Sequence, residues 1–331
     1  MRARLLLFLL LVFTPVSFAG QPHIVFLAGD DEYRSEESLP MLASLLEAHY
    51  DFRTTVLYMV DEDGFINPGE RYNVPGLEVL AEADLVVAFM RFRKLPPESL
   101  AHIEGYLSSG RPMVAFRTTT HAFKYGTNLA DFFPDLWWGV WIPFSFLDDE
   151  MIEEQMATYN NAWPEKWIGQ RWVTHHGHFD DGDQPLTDVT LIEAQAAHPI
   201  LRGVTPFAAY SWLYHMEGAG DAIHGEVQRL LAGRALKSNK DEDFPQTNPV
   251  AWTRSVEGGG ATPNRVFYTS LGHPFDFREP SMRRLALNGM FWALGREDEI
   301  PESGTIVDFV APYDPPNSGE GEGSFREGVR P

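Results

Sequence analysis

Short apolar runs alternate with helical segments over the first third of this chain, and this alternation restricts the folds open to it. The runs predict strands at 23–29, 84–90 and 112–116, a further strand is predicted at 52–58, and helices are predicted at 37–50, 76–82 and 96–108. Continuous apolar runs of this length are typical of strands that are buried on both faces of a parallel sheet. The sequence therefore predicts an α/β fold with right-handed crossover helices.

The pattern loosens beyond residue 123. Further strands are predicted at 189–194, 207–216, 227–232, 250–254 and 265–270, and a last helix at 282–295. Residues 296–331 are rich in Pro, Gly and acidic residues. This composition predicts an extended or disordered acidic tail that adds little to the stability of the protein. Within that tail, Phe309, Val310 and Tyr313 are the expected docking points.

The composition excludes several classes of function. The chain has 331 residues and no cysteine, so thiol nucleophiles, thiolate metal sites and disulfides are all unavailable. Its formal net charge of −21 repels phosphate backbones and anionic lipid, and we expect it to bind neither nucleic acid nor a membrane surface.

The N-terminus carries the pattern of a signal peptide. Arg2 and Arg4 precede an apolar core at 5–12, and Ser17 and Ala19 fit small-x-small cleavage. The apolar core is shorter than the ~20 residues of a spanning helix, so no membrane anchor is expected. We predict a signal peptide at 1–19 and a periplasmic or secreted protein.

Polar residues follow the predicted fourth strand directly, in the stretch RPMVAFRTTTHAF. In open α/β sheets, ligands bind just beyond the carboxyl ends of the strands. Arg117, Thr119 and His121 are therefore candidate site residues, and His273 follows a later strand in the same manner. We expect His121 and His273 to converge on one cavity.

Asp31, Glu32 and Tyr33 follow the first strand and should lie at the same edge of the sheet. They could hydrogen-bond the hydroxyls of a ligand, or the acids could cap the next helix. Arg117 could orient a carbonyl or carboxylate group, or form an ion pair with these acids.

Histidines and tryptophans are concentrated in the middle of the chain. His175, His176 and His178 could bind a divalent metal such as Zn, or could face solvent. Residues 134–172 form a Trp-rich insertion with six of the nine tryptophans. Trp138 and Trp141 could stack on sugar rings, although packing against the core is the alternative.

Several motifs in order resemble one family. RPMVAFRTTTHAF, HPILRGV, NPVAWTRSVEGGGATPNRVFYTSLGHPFDF and RRLALNGMFWALG are together similar to the ThuA-like (trehalose utilisation) family, with the domain at 21–295. The resemblance implies a flavodoxin-like, class I glutamine-amidotransferase-like three-layer sandwich with a mostly parallel sheet. The family pattern has an acidic pair before Leu213-Tyr214, where this chain has Tyr210-Ser211-Trp212; Glu217 could replace it.

The resemblance implies a role in carbohydrate metabolism, and two hypotheses follow. In the first, an exported enzyme acts on a sugar or oxidised sugar derivative such as a 3-keto-glycoside. His121 or His273 would be the base, and Arg117 or a His-bound metal the electrophile. Amidotransferase chemistry is excluded, because the turn at Thr118–Thr120 holds no cysteine.

In the second hypothesis, the protein is a non-catalytic carbohydrate-binding or accessory protein. Homo-oligomer formation stays open in both.

Overall fold

The computed structural model describes residues 20–125, 156–177 and 182–331. The strands of the described residues form one nine-stranded sheet in the order β2-β1-β3-β4-β9-β8-β7-β5-β6. The strands are β1 His23–Gly29, β2 Arg53–Tyr58, β3 Leu85–Met90, β4 Met113–Phe116, β5 Thr187–Leu191, β6 Phe207–Ala209, β7 Val227–Ala235, β8 Thr247–Val256 and β9 Asn264–Thr269.

Helices cover both faces of this sheet. The α-helices are α1 Ser35–His49, α2 Pro97–Ser108, α3 Trp163–Trp167 and α4 Pro280–Ala293, with 3₁₀ helices that include Leu77–Glu82 and Arg117–His121 and a π-helix at Met156–Ala162. Helices α1 and α4 pack on one face, and α2 and α3 pack on the other. In the part of the chain that the structure describes, no helix is both long and apolar enough to cross a membrane.

The α/β class is confirmed, but the prediction of a mostly parallel sheet is wrong. Strands β2, β1, β3, β4 and β9 pair in parallel, whereas β8, β7, β5 and β6 pair antiparallel. The reason lies in the connections. No helix stands between β7 and β8 or between β8 and β9, and parallel pairing needs a long crossover that these short links do not supply. The sheet is therefore mixed.

The C-terminal segment at 300–331 forms neither helix nor strand, and it docks on the domain. Thr305 and Val307 are buried, and Arg283 Nε donates to the carbonyl of Val307 at 2.8 Å. Farther along, the Ile66 amide donates to the carbonyl of Val329 at 2.8 Å. Of the three expected docking points, Phe309 lies against Arg283, with the guanidinium carbon 3.9 Å from its ring centre, and Tyr313 donates to the carbonyl of Pro274 at 3.0 Å, whereas Val310 is exposed. The expectation that this segment adds little to stability does not fit these contacts.

Candidate functional site

The carboxyl ends of β1, β3 and β4 bring a group of strained residues together. Arg34, Phe92 and Arg117 have φ of 55°, 55° and 36°, in the left-handed region that side chains other than glycine rarely adopt. Each follows one of these three strands within five residues. Such strain costs on the order of 1–3 kcal/mol per residue and is concentrated at functional sites. The strand ends are therefore the place to look for a ligand site.

A cavity of about 260 Å³ opens at this edge. Its walls combine charged groups with aromatic rings. It is lined by Glu32, Tyr33, Arg91, Phe92, His121, Trp172, His175, Trp212, Tyr214 and Glu320. Apolar rings with a few convergent polar groups are the usual lining of a small-molecule site. Of the residues predicted from the sequence, the structure brings Glu32, Tyr33, His121 and His175 together here.

Glu32 is the carboxyl in the lining of this cavity whose pKa lies near neutrality. Burial raises the pKa of its carboxyl to about 7, because the charge of Arg91, which acts in the opposite direction, does not offset the loss of water. Its Oε2 lies 3.0 Å from Nε of Arg91. A carboxyl that titrates near neutrality can both accept and return a proton.

Asp31 has a different environment from its neighbour. Burial acts to raise the pKa of its carboxyl, but the guanidinium groups of Arg91, Arg93 and Arg71 together hold that pKa at about 2. The three arginine nitrogens lie 2.9, 3.2 and 3.3 Å from its oxygens. Asp31 is therefore a fixed anion that holds the arginines. It does not line the cavity.

Arg117 lies behind the cavity wall. Its guanidinium carbon is 4.0 Å from the ring centre of Tyr33 and 4.5 Å from that of Tyr214. It donates to the Tyr33 hydroxyl at 2.9 Å and to the carbonyls of Trp212 and Ser270. This arrangement makes Arg117 a positioning residue for two tyrosines of the wall. It is not itself among the lining residues, and no ion pair joins it to Asp31 or Glu32 among the described contacts.

His121 lines the cavity as a neutral imidazole. Burial lowers its pKa well below the usual value, and the positive charges of Arg91 and Arg117 lower it further. Its ring lies beside Trp172, with ring centres 5.5 Å apart, and Nδ1 is 3.2 Å from the Thr120 hydroxyl. At neutral pH it can accept or donate a hydrogen bond, but it holds no charge.

Two histidines of the predicted metal site, His175 and His176, lie among the described residues, and their rings have different neighbours. His175 lines the cavity and lies against Trp212, with ring centres 4.6 Å apart. His176 is buried, and its Nδ1 lies 2.8 Å from the hydroxyl of Ser238. No group of three His, Asp or Glu among the residues with described positions could hold a metal ion. His178 lies outside the described residues.

The remaining predicted residues do not line this cavity. His273 is buried and caps the helix that follows it, since its Nδ1 accepts from the Phe275 amide at 3.1 Å while Nε2 lies 3.0 Å from Ser318 Oγ. Its ring contacts Tyr33 from the side, with centres 6.0 Å apart. Thr119 donates to backbone carbonyls at the ends of β3 and β4. Trp138 and Trp141 lie outside the described residues.

Two further residues that the sequence singled out have structural partners. Thr118 donates to the buried carboxyl of Asp30, where the amidotransferase fold would hold its cysteine. Glu217 forms an ion pair with Arg229 and lines neither described cavity. Neither side chain is therefore available to a ligand in this cavity.

A second cavity, of about 540 Å³, adjoins the first and shares Phe92, His121 and Trp172 with it. Its other lining residues include Lys124 and Arg171. The shared residues form the partition between the two spaces. A ligand larger than one sugar ring could therefore extend past His121.

Sequence reasoning missed Arg91, Trp212, Tyr214 and Glu320 as site residues. Arg91 follows β3 directly, so the strand-end argument that selected Arg117 applied to it equally. Glu320 gave no such signal, because its segment has neither periodicity nor an apolar run. Glu320 reaches the cavity because the C-terminal segment runs along the ends of the strands, where the neighbouring Gly319 is hydrogen-bonded to Glu32 and Arg34.

The fold and the site together define an α/β protein with a ligand cavity at the carboxyl ends of its parallel strands. Residues 153–293 match the family model described as ThuA, trehalose utilisation, which confirms the ThuA-like resemblance seen in the motifs. No curated protein matches the sequence.

Two solved structures are similar in shape. A ThuA-like protein from Bacteroides uniformis is 15% identical, with 85% of this chain and 95% of that chain covered and a TM-score of 0.48. A ThuA-like protein from Parabacteroides merdae is 17% identical, with 83% and 90% covered and a TM-score of 0.46. At these values neither relative assigns a function.

Proposed function

We propose that this protein acts on a sugar or an oxidised sugar derivative, and that Glu32 is the acid–base group of the reaction. The observation that carries the proposal is the buried carboxyl of Glu32, with a pKa near 7, inside a cavity walled by aromatic rings. The match to a family described by trehalose utilisation supports a carbohydrate as the ligand.

The aromatic rings of the cavity suit the C–H faces of a sugar, and the carboxyl suits its hydroxyl groups. Trp172, Trp212 and Tyr214 offer faces against which the C–H bonds of a sugar ring can pack. Trp212 and Tyr214 are buried, whereas Trp172 is 37% exposed and lies at the edge open to water. The Glu32 carboxyl can hydrogen-bond a hydroxyl in either protonation state. The cavity volume of about 260 Å³ lies at the lower end for small-molecule sites, which favours a single ring.

The chemistry proposed is proton transfer next to a carbonyl group, as in a 3-keto sugar. Glu32 would remove the proton, and the guanidinium of Arg91, at 3.0 Å from Glu32, would stabilise the negative charge that develops on oxygen. This assignment differs from the histidine base of the sequence analysis. His121 would act as a neutral hydrogen-bonding group, because two arginines oppose its protonation.

Export and the finer fold class remain part of the proposal. The pattern of Arg2, Arg4 and Ala19 supports a signal peptide and a periplasmic or secreted location. The alternation of strands and helices over 23–123 supports a class I glutamine-amidotransferase-like domain with an antiparallel extension.

The test is a substrate screen with a matched pair of variants. The purified protein is incubated with glycosides and 3-keto-glycosides in D₂O, and proton NMR follows solvent exchange at the carbon next to the carbonyl. We expect exchange or turnover with the native protein and a loss of at least ~100-fold in Glu32→Gln. Glu98→Gln, at an exposed position in α2, should retain the native rate. Equal rates in both variants would contradict the role of Glu32.

Non-catalytic binding is the second candidate. It is favoured by the aromatic wall, which can hold a sugar ring without any reaction. Saturable binding of a sugar with no exchange or turnover across the screen would select this alternative.

A further inference from the structure

The C-terminal segment contributes a carboxylate to the cavity. Glu320 lines the cavity, and its Oε1 lies 2.6 Å from Nη2 of Arg91. Backbone contacts hold the segment in place, because the Gly319 amide donates to the carbonyl of Glu32 at 2.9 Å and Arg34 donates to the carbonyl of Gly319 at 2.6 Å. These residues lie outside 153–293, the range of the family match.

Arg91 binds three carboxylates, and Glu320 is the most exposed of them. The side chains of Asp31 and Glu32 are 8% and 19% exposed, whereas that of Glu320 is 42% exposed. An exposed ion pair contributes little to stability, about 0–1 kcal/mol. Glu320 is therefore the carboxylate that another anion could replace at the lowest cost.

The backbone next to Glu320 has room to move. Gly321 and Gly323 have φ of 81° and 79°, and a Cβ built on either glycine meets no atom within 4 Å. Glycine changes backbone conformation more readily than other residues, and the Gly321 carbonyl accepts from the amide and the hydroxyl of Ser324 within the same turn. The side chain of Glu320 can therefore leave Arg91 without disturbing the core.

The surroundings hold more positive charge than the rest of the chain would suggest. Arg71, Arg91, Arg93 and Arg117 lie at or behind the cavity wall, in a chain of net charge −21. Asp31 is the acid that binds three of them. When Glu320 leaves Arg91, the four guanidinium groups outnumber the neighbouring carboxyls of Asp30, Asp31 and Glu32, and such an excess attracts an anionic ligand.

We propose that the ligand is a sugar acid, whose carboxylate binds Nη2 of Arg91 in the position that Glu320 occupies. The inference rests on the proposed function, since it names a class of ligand for the same cavity. Nη2 of Arg91 can donate a charge-assisted hydrogen bond to a carboxylate at that position, and the aromatic walls receive the sugar ring. Glu320 then competes with the ligand for Arg91.

The experiment compares an acidic with a neutral sugar by titration calorimetry. The probes are D-glucuronate and methyl D-glucoside, and the proteins are native, Glu320→Gln and the control Glu322→Gln, which removes an exposed charge two residues away. We expect the native protein to bind glucuronate more tightly than the glucoside. Glu320→Gln should bind glucuronate about tenfold more tightly still, as expected if Glu320 blocks the position about nine-tenths of the time.

The outcomes separate the two proposals. Glucoside binding without a preference for glucuronate, or glucuronate affinity that does not rise in Glu320→Gln, would overturn the sugar-acid inference and leave the proposed function standing. Binding of neither sugar would contradict both. An equal gain in Glu322→Gln would show that general charge repulsion, and not Glu320, limits binding, and would also overturn the inference. Thermal unfolding of each variant confirms that it is folded.

Discussion

Glu32 Oε2 lies 3.0 Å from Arg91 Nε, yet the pKa of this carboxyl is raised to about 7. An adjacent cation alone would lower it. Burial at the ends of β1 and β3 has the larger effect, and the nearby carboxyl of Asp30 adds to it. The cavity therefore holds a carboxyl and a guanidinium in contact, with the carboxyl able to change protonation near neutral pH.

Glu36 gives a prediction for stability against pH. Burial raises the pKa of its carboxyl to about 7 from an ordinary 4.5, although Arg34 opposes the shift. The folded protein thus binds a proton that the unfolded chain releases between pH 4.5 and 7, so this stabilisation is lost as pH rises through that range. Relative to the native protein, Glu36→Gln should gain up to ~3 kcal/mol of unfolding free energy between pH 4 and pH 8. Urea unfolding at both pH values measures this gain, and a constant difference would contradict it.

A matched pair of valines tests the docking of the C-terminal segment. Val307 is 4% exposed and Val310 is 52% exposed. Val307→Ala should lower the free energy of unfolding by about 1–2 kcal/mol, since it removes two buried methyl groups and leaves a small cavity. Val310→Ala should change it by less than ~0.5 kcal/mol. Chemical denaturation provides both values. Equal effects would mean that the segment does not pack as described.

The buried stack around Arg117 predicts a large cost for a conservative change. Lysine keeps the charge of Arg117 but cannot lie flat between Tyr33 and Tyr214 or serve the same three oxygens. Arg117→Lys should destabilise the protein by about 2 kcal/mol or more. The control is Arg53→Lys, whose ion pair with Glu82 is exposed and should cost less than ~0.5 kcal/mol. Similar losses in the two variants would contradict this role.

The first half of the fold could be predicted closely from the sequence, and the second half only with looser bounds, since its predicted strands and last helix overlap the observed ones. Strands β1, β3 and β4 are continuous apolar runs that are buried throughout. The predicted bounds of these strands and of β2 agree with the structure to within a residue. In the second half, the predicted strand at 207–216 is strand only over Phe207–Ala209. Tyr214 and His215 are buried in irregular backbone there, and burial alone gives the same apolar pattern as a strand.

The residues of the candidate site could be predicted only where a polar or titratable side chain comes soon after the end of a strand. Glu32, Tyr33 and His121 were found by that rule and line the cavity. His273 obeys the same rule but caps a helix instead, because Pro274 begins that helix one residue later. The distinction between a cap and a ligand group depends on side-chain direction, which the sequence pattern does not record.

The neutral state of His121 can be observed directly. With a pKa lowered well below 6.5 by burial and by Arg91, its imidazole should remain unprotonated at pH 6. Nitrogen-15 NMR of the histidine rings reports the protonation state, and the variant His121→Asn identifies the signal by its loss. A protonation midpoint near 6.5 would show that the ring is open to water and would restore it as a candidate general acid.

The pKa of Glu32 tests the central claim most directly. Carbon-13 NMR of the glutamate side-chain carboxyl groups, with Glu32→Gln to identify the signal, follows its ionisation between pH 4 and pH 9. The account predicts a midpoint near 7, set by burial in the cavity. It also predicts that the midpoint shifts when a sugar fills the cavity. A midpoint near 4.5 that no sugar shifts would contradict the assignment of Glu32 as the acid–base group.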